Sequence, residues 1–217
     1  MKKLISILLL LGLCLGVLAS CGPDDEEVSG FDVFNAFNEE YAPTKITTVV
    51  DYVYTDADGV NQNLSGNYQT TIEGDKSIFA FSYERLATIE DMVSDGRFVT
   101  VSGNIYKNGN QVSSDGDTWE DATALPGANF TLSVKAEYFS SYELSNNDNT
   151  LTGVVNPANV DDVFGTALSA NGDVTLTVNG NGELITGIVV TYKTASGASV
   201  IIRTSYTYSP VTVTIPA

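Results

Sequence analysis

A chain of 217 residues, 43% of them apolar, has the length of one domain and can bury a sizeable core. Ten basic against 27 acidic residues leave a net charge of −17, which argues against nucleic acid as a partner, because a phosphate backbone is bound by neutralising it. With no His and only two Cys, the chain lacks the means for Ser-His-Asp catalysis, imidazole metal ligation or a disulfide framework.

Residues 1–20 read as a secretory signal. Lys2 and Lys3 precede an almost unbroken apolar run from Leu4 to Val17, which then meets the small residues Ala19 and Ser20. The run is shorter than the roughly 20 residues that a membrane-spanning helix requires. Leu18-Ala19-Ser20-Cys21 resembles the lipobox of bacterial lipoproteins. That resemblance implies cleavage between Ser20 and Cys21, diacylglycerol on the Cys21 sulfur, and a membrane as the partner of the mature chain. The plainer reading is an ordinary signal peptide followed by an incidental Cys. Cleavage removes Lys2, Lys3 and Cys14 but no acidic residue, so the charge moves from −17 to −19 and the one remaining Cys is occupied by lipid.

Residues 21–30 are expected to form a tether. Its four consecutive acids, Asp24 to Glu27, repel one another and hold the chain extended. Acidic residues this soon after the Cys are also similar to the surface-export signal of Bacteroidota lipoproteins; a plain solvated spacer explains them equally. Gly22, directly after Cys21, is not the Asp that would resemble an inner-membrane retention signal.

The remainder, 31–217, reads as a single β-rich domain. Phe31, Phe34, Phe37 and Tyr41 recur at helical spacing and Pro43 ends the segment, so a helix is expected there. Val50, Tyr52 and Tyr54 alternate in a strand that ends at the Asp56–Gly59 turn, and Tyr68, Thr70 and Ile72 make the next, closed by Gly74-Asp75. Ile78 to Tyr83 is apolar on both faces, with Phe79, Phe81 and Tyr83 on one of them, as in a strand covered on both sides or lining a cavity. Phe98 to Tyr106 is expected to be broken by Gly103 and turned back at Asn108-Gly109-Asn110. Strands at Phe139–Leu144 and Thr150–Val155 flank a polar turn over 145–149. A short helix through Phe164 opens at Asn156-Pro157, with Asn as N-cap.

Three or four strands finish the chain. Val174, Leu176 and Val178 form one; Ile188, Val190 and Tyr192 the next; Val200, Ile202, Tyr206 and Tyr208 a third. Pro210 then separates Val211, Val213 and Ile215. Short turns between neighbours predict a curved antiparallel sheet, mainly β within the α+β class, with the two helices on one face. This order resembles the half-barrel superfamily of LolA, LolB and LppX. The stretches that carry the resemblance are Phe31 to Tyr54, Asn104-Ile105-Tyr106 with Trp119 downstream, and the ending from Pro210 to Pro216. It implies a sheet plugged by helices and an apolar, acyl-type ligand.

Chemistry is thinly provided. No phosphate-binding glycine loop is present, and the adjacent acids Glu39-Glu40 and Asp161-Asp162 diverge on a helix rather than face each other as paired catalytic carboxylates do. The Asp56–Gly59 and Asp115–Asp117 segments offer oxygens for calcium, but neither keeps the EF-hand register, and Asp-Gly is ordinary turn chemistry. No metal, cofactor or catalytic residue is therefore expected. The positive signal is aromatic: 11 Tyr, 9 Phe and one Trp. Tyr52, Tyr54, Phe79, Phe81 and Tyr83 could line an apolar-ligand groove beneath the first helix, unless that helix fills it. The expected function is that of a non-enzymatic, lipid-anchored extracytoplasmic lipoprotein binding a lipid or other apolar molecule. The alternative is a structural or adhesive surface lipoprotein with a filled core, and an oligosaccharide binder would need aromatics on a flat outer face.

Overall fold

A computed structural model of the chain describes residues 42–88, 91, 98–122, 132–145, 149–165 and 167–216. The expected signal peptide, Cys21, the tether and the helix over Phe31 to Tyr41 lie outside the described residues, as do 146–148 of the polar turn. Runs rich in Thr, Val, Ile and Tyr form strands because their branched or flat side chains suit a pleated surface. The first group comprises β1 (Lys45–Thr55), β2 (Asn61–Glu73), β3 (Lys76–Leu86), β4 (Phe98–Asn108), β5 (Gln111–Ser113) and β6 (Glu120–Asp121). The second comprises β7 (Phe139–Ser145), β8 (Thr150–Val155), β9 (Val174–Gly180), β10 (Ile185–Lys193) and β11 (Ser199–Thr207).

Each group is an antiparallel meander, and the two are zipped together by their outermost strands in sequence. Strand β1 pairs with β11 from Lys45↔Thr207 to Val53↔Ser199, giving one curved, open sheet in the order β6-β5-β4-β3-β2-β1-β11-β10-β9-β8-β7. The mainly-β antiparallel architecture expected from the sequence is therefore present.

The period of two sorts every strand onto two faces. Ile46, Thr48, Val50 and Tyr52 of β1 stand in register with Tyr206, Thr204, Ile202 and Val200 of β11, and these in turn meet Ile188, Val190 and Tyr192 of β10. This is the core face. Over β8–β11 it is mainly aliphatic and buried, with Leu151, Leu176, Val178, Val190 and Val200 at its centre and Tyr192 and Tyr206 beside them. A lid of non-strand residues covers it: Val134, Val160, Val163 and Phe164 all join the same cluster. Burial of a side chain the size of Phe164 contributes about 1.5–3 kcal/mol, far more than five residues of helix contribute on their own.

That helix, α1 (Val160–Phe164), follows a 3-10 turn over Pro157–Asn159. It lies where Asn156-Pro157 predicted it, with Asn156 at the N-cap position of the opening turn, but the Asn156 side chain makes no capping hydrogen bond: its amide donates instead to the Glu137 carbonyl at 3.1 Å, tying the helix entry to the segment before β7. Two further expectations are corrected. Strand β4 runs unbroken through Gly103, paired to Phe81 of β3. Beyond β11, Val211 to Ile215 form no strand, because both edges of β11, the strand they follow, are already taken, by β1 and β10; the segment is held by the Val213 N–H donating to Glu73 Oε2 at 2.8 Å.

Candidate functional site

The five aromatics singled out from the sequence share the core face of the first meander. Tyr52 and Tyr54 lie on β1, and Phe79, Phe81 and Tyr83 on β3, with β2 between them. Their rings form two groups. Tyr52 and Tyr54 are 5.8 Å apart between centroids. A second chain runs Tyr68–Phe79 at 6.3 Å, Phe79–Phe81 at 5.7 Å and Phe81–Tyr83 at 6.2 Å, spacings at which ring quadrupoles attract. Tyr68 of β2 thus belongs to the row, although the sequence reading left it out; its parity with Thr70 and Ile72 was the available signal.

Glycine makes room for these rings. A methyl group at Gly103 would stand 2.8 Å from the Phe81 ring, and one at Gly66 would stand 2.5 Å from the Tyr68 hydroxyl. The rings lie across bare backbone, where any side chain would lift them off. Phe79 and Tyr68 are buried, whereas Tyr52, Tyr54, Phe81 and Tyr83 stay half-buried. The aliphatic half of the core face is therefore closed, and the aromatic half is only partly covered.

Polar atoms are sparse on this face. Thr48 and Thr204 satisfy each other through a buried hydroxyl pair at 2.9 Å. The Thr70 and Tyr192 hydroxyls are buried without a hydrogen-bond partner among the described residues. Tyr192, on β10, stands in the transverse row that runs through Val200 to Tyr52. Burial raises its pKa well above the usual phenol value, with a smaller contribution from neighbouring Tyr52. At the far end of β3, Arg85 holds Asp91 through two 2.6 Å hydrogen bonds, and Thr88 adds its N–H and hydroxyl. The Arg85 hydrogen bonds are the main reason that the Asp91 carboxyl lies well below the ordinary carboxylate range.

The acidic turns act as turns. Asp115 accepts the N–H groups of Asp117 and Thr118 and the Ser113 hydroxyl, and those backbone bonds hold its carboxyl strongly ionised. Asp56 likewise accepts the N–H groups of Asp58 and Val60. Among the described residues no three acidic or Cys side chains converge on a point where a metal ion would sit. Among the same residues no helix is long and apolar enough to cross a membrane.

No protein-family model matches the chain, and no curated protein matches its sequence. Among solved structures it is similar to the monomer form of the M. tuberculosis PknI sensor domain, at 12% identity over 80% of this chain and 94% of that one, with a TM-score of 0.15. A score that low carries no argument about fold or function.

Proposed function

We propose that the protein is a non-enzymatic lipoprotein, anchored outside the cytoplasm through lipidated Cys21, whose aromatic core-face groove takes an apolar ligand. The contrast between the two halves of the core face carries this reading: aliphatic side chains on β8–β11 are fully buried, whereas Tyr52, Tyr54, Phe81 and Tyr83 on β1 and β3 are not. Rings half-open to solvent on a curved sheet offer apolar area, and their hydroxyls offer polar tips at its margin. An apolar groove of this kind is what the resemblance of the element order to the LolA-like half-barrels implies.

The rival reading, a structural surface lipoprotein with a filled core, draws on the deep burial of Tyr68 and Phe79 beside the same rings. One experiment separates them. The chain from residue 21, carrying Cys21→Ser so that it stays in solution, is expected to retain an apolar co-purifying molecule in native mass spectrometry and to take up a fluorescent fatty acid saturably. Tyr83→Ala together with Phe81→Ala should weaken that uptake about tenfold. Empty protein with no uptake would leave the filled-core lipoprotein as the function.

A further inference from the structure

The face opposite the core holds a different kind of site. Two adjacent transverse rows cross the first meander there, Thr47–Gln69–Ala80–Asn104 and Asn67–Ser82–Ser102, each in direct register. Along β3 the outward side chains are short, Ala80 and Ser82, while β2 raises Asn67 and Gln69 on one side and β4 raises Asn104 on the other. Short residues between longer ones leave a trough of about 450 Å³, within the range of small-molecule sites, about 300–1,000 Å³.

Its lining is uncharged, although the chain carries a net charge of −17. Ionised groups stand outside it along the strands: Glu84, two residues beyond Ser82, accepts from the Ser65 N–H and hydroxyl, Arg203 of β11 pairs with Asp51 of β1, and Lys45 lies two residues before Thr47 on the same face. The side chains of Asn67, Ser82 and Ser102 have no hydrogen-bond partner among the described residues. Asn104 and Gln69 make only long contacts, 3.4 Å to the Tyr106 hydroxyl and 3.5 Å to Thr71. Tyr106, in the next row, is half-buried and lies just beyond the lining, where its hydroxyl meets Asn104.

We propose that this trough binds a neutral saccharide. Amide and hydroxyl groups both donate and accept, which matches the adjacent hydroxyls of a sugar ring. The Ala80 methyl at the floor of the trough offers apolar surface to the sugar's C–H face, and the Tyr106 ring lies just beyond its margin. An anion would find no cation in the lining and would meet the repulsion of the whole molecule. A peptide adding a strand needs an open sheet edge, and β3 has none, being paired along both sides. This site lies on the face opposite the aromatic groove and shares with it the backbone of β2–β4 at Tyr68, Phe81 and Gly103.

The test uses the full chain solubilised in an amine-oxide detergent, since a glycoside detergent would itself present a sugar. It is titrated calorimetrically with cellohexaose, maltohexaose, laminarihexaose and mannohexaose, and with an anionic heparin hexasaccharide. At least one neutral hexasaccharide is expected to bind saturably. Asn67→Ala combined with Asn104→Ala should weaken that binding about tenfold or more, and Ser82→Arg, which fills the trough, should abolish it. Tyr83→Ala, on the opposite face, should leave saccharide binding unchanged, and circular dichroism checks that each variant keeps the wild-type fold. The proposal is overturned if none of the four neutral sugars binds at about 5 mM, if only the anionic one binds, or if folded Ser82→Arg binds as wild type does.

Discussion

The hydroxyl of Tyr192 is buried on β10 with no partner among the described residues, while that of Tyr208 donates to the Ile185 carbonyl at 2.6 Å. Burial favours the neutral phenol in both, pushing Tyr208 up to about 12 and Tyr192 well above its ordinary value. Their energetic signs nevertheless differ. A buried hydroxyl without a partner costs the desolvation of that group, whereas a bonded one contributes about 1 kcal/mol net. Tyr192→Phe is therefore expected to stabilise the fold by about 1 kcal/mol at pH 7, a rise of about 2–4 °C in Tm, while Tyr208→Phe lowers stability by a similar amount. Above pH 10 the unfolded chain ionises its tyrosines first. The stability gained from holding Tyr192 neutral is complete below that pH and is lost as pH rises towards the native value, so the advantage of the Phe variant should widen from pH 10 upward. Thermal scans from pH 7 to pH 11 check both statements. A fall in Tm for Tyr192→Phe at pH 7 would mean that the hydroxyl is hydrogen-bonded in solution.

At the level of elements, alternation in the sequence identified nearly every strand and assigned Phe79, Phe81 and Tyr83 to one face, because a period of two is a local property of the chain. What it missed depends on residues distant in sequence. Gly103 looks like a strand breaker until Phe81, from the neighbouring strand, is seen to need the missing Cβ. Val211, Val213 and Ile215 alternate as a strand does, but the edges of β11 that they would pair with are occupied by β1, about 150 positions earlier, and by β10. Tyr192 enters the site only through the pairing of β1 with β11, which no local pattern specifies. The outer-face trough was equally hidden, since Asn, Gln, Ser and Ala on β2–β4 read one at a time as ordinary solvent-facing residues. The C-terminal segment that resulted is a strap. Val213 is buried and bonded to Glu73, and Pro216 lies against Gly116, whose φ of +85° and whose absent Cβ, 2.7 Å from the Pro216 ring, both require glycine. Gly116→Ala should cost about 1–2 kcal/mol and should release the strap. Hydrogen exchange at the Val213 amide is expected to accelerate while that of Val190, at the centre of the sheet, stays slow; equal protection of Val213 in both proteins would show that the strap does not depend on this contact.

Taken as a whole, the molecule is an open sheet with edges at β6 and β7, and the β7 edge is interrupted by a bulge at Ser140 and carries Glu143, features that discourage pairing with another chain. Its net charge of −17 opposes attraction to an anionic membrane by charge alone, so attachment to such a surface requires a hydrophobic contribution. The proposed anchor meets that requirement. Each buried CH₂ of an acyl chain contributes about 0.8 kcal/mol, and two or more chains on Cys21 give stable attachment where one gives only marginal binding. The two kinds of attachment respond oppositely to salt. Raising ionic strength releases a protein held by ion pairs, but for an acyl-anchored acidic protein it screens only the repulsion between protein and headgroups. Labelled palmitate is therefore expected to enter the wild-type chain, which should remain with the membrane fraction in low and high salt alike. Cys21→Ser should abolish the label and the processing that accompanies it. An unlabelled wild-type chain, or one that salt washes off the membrane, would overturn the anchor; it would leave the aromatic groove and the outer-face trough to be judged by their own ligands, because neither derives from Cys21.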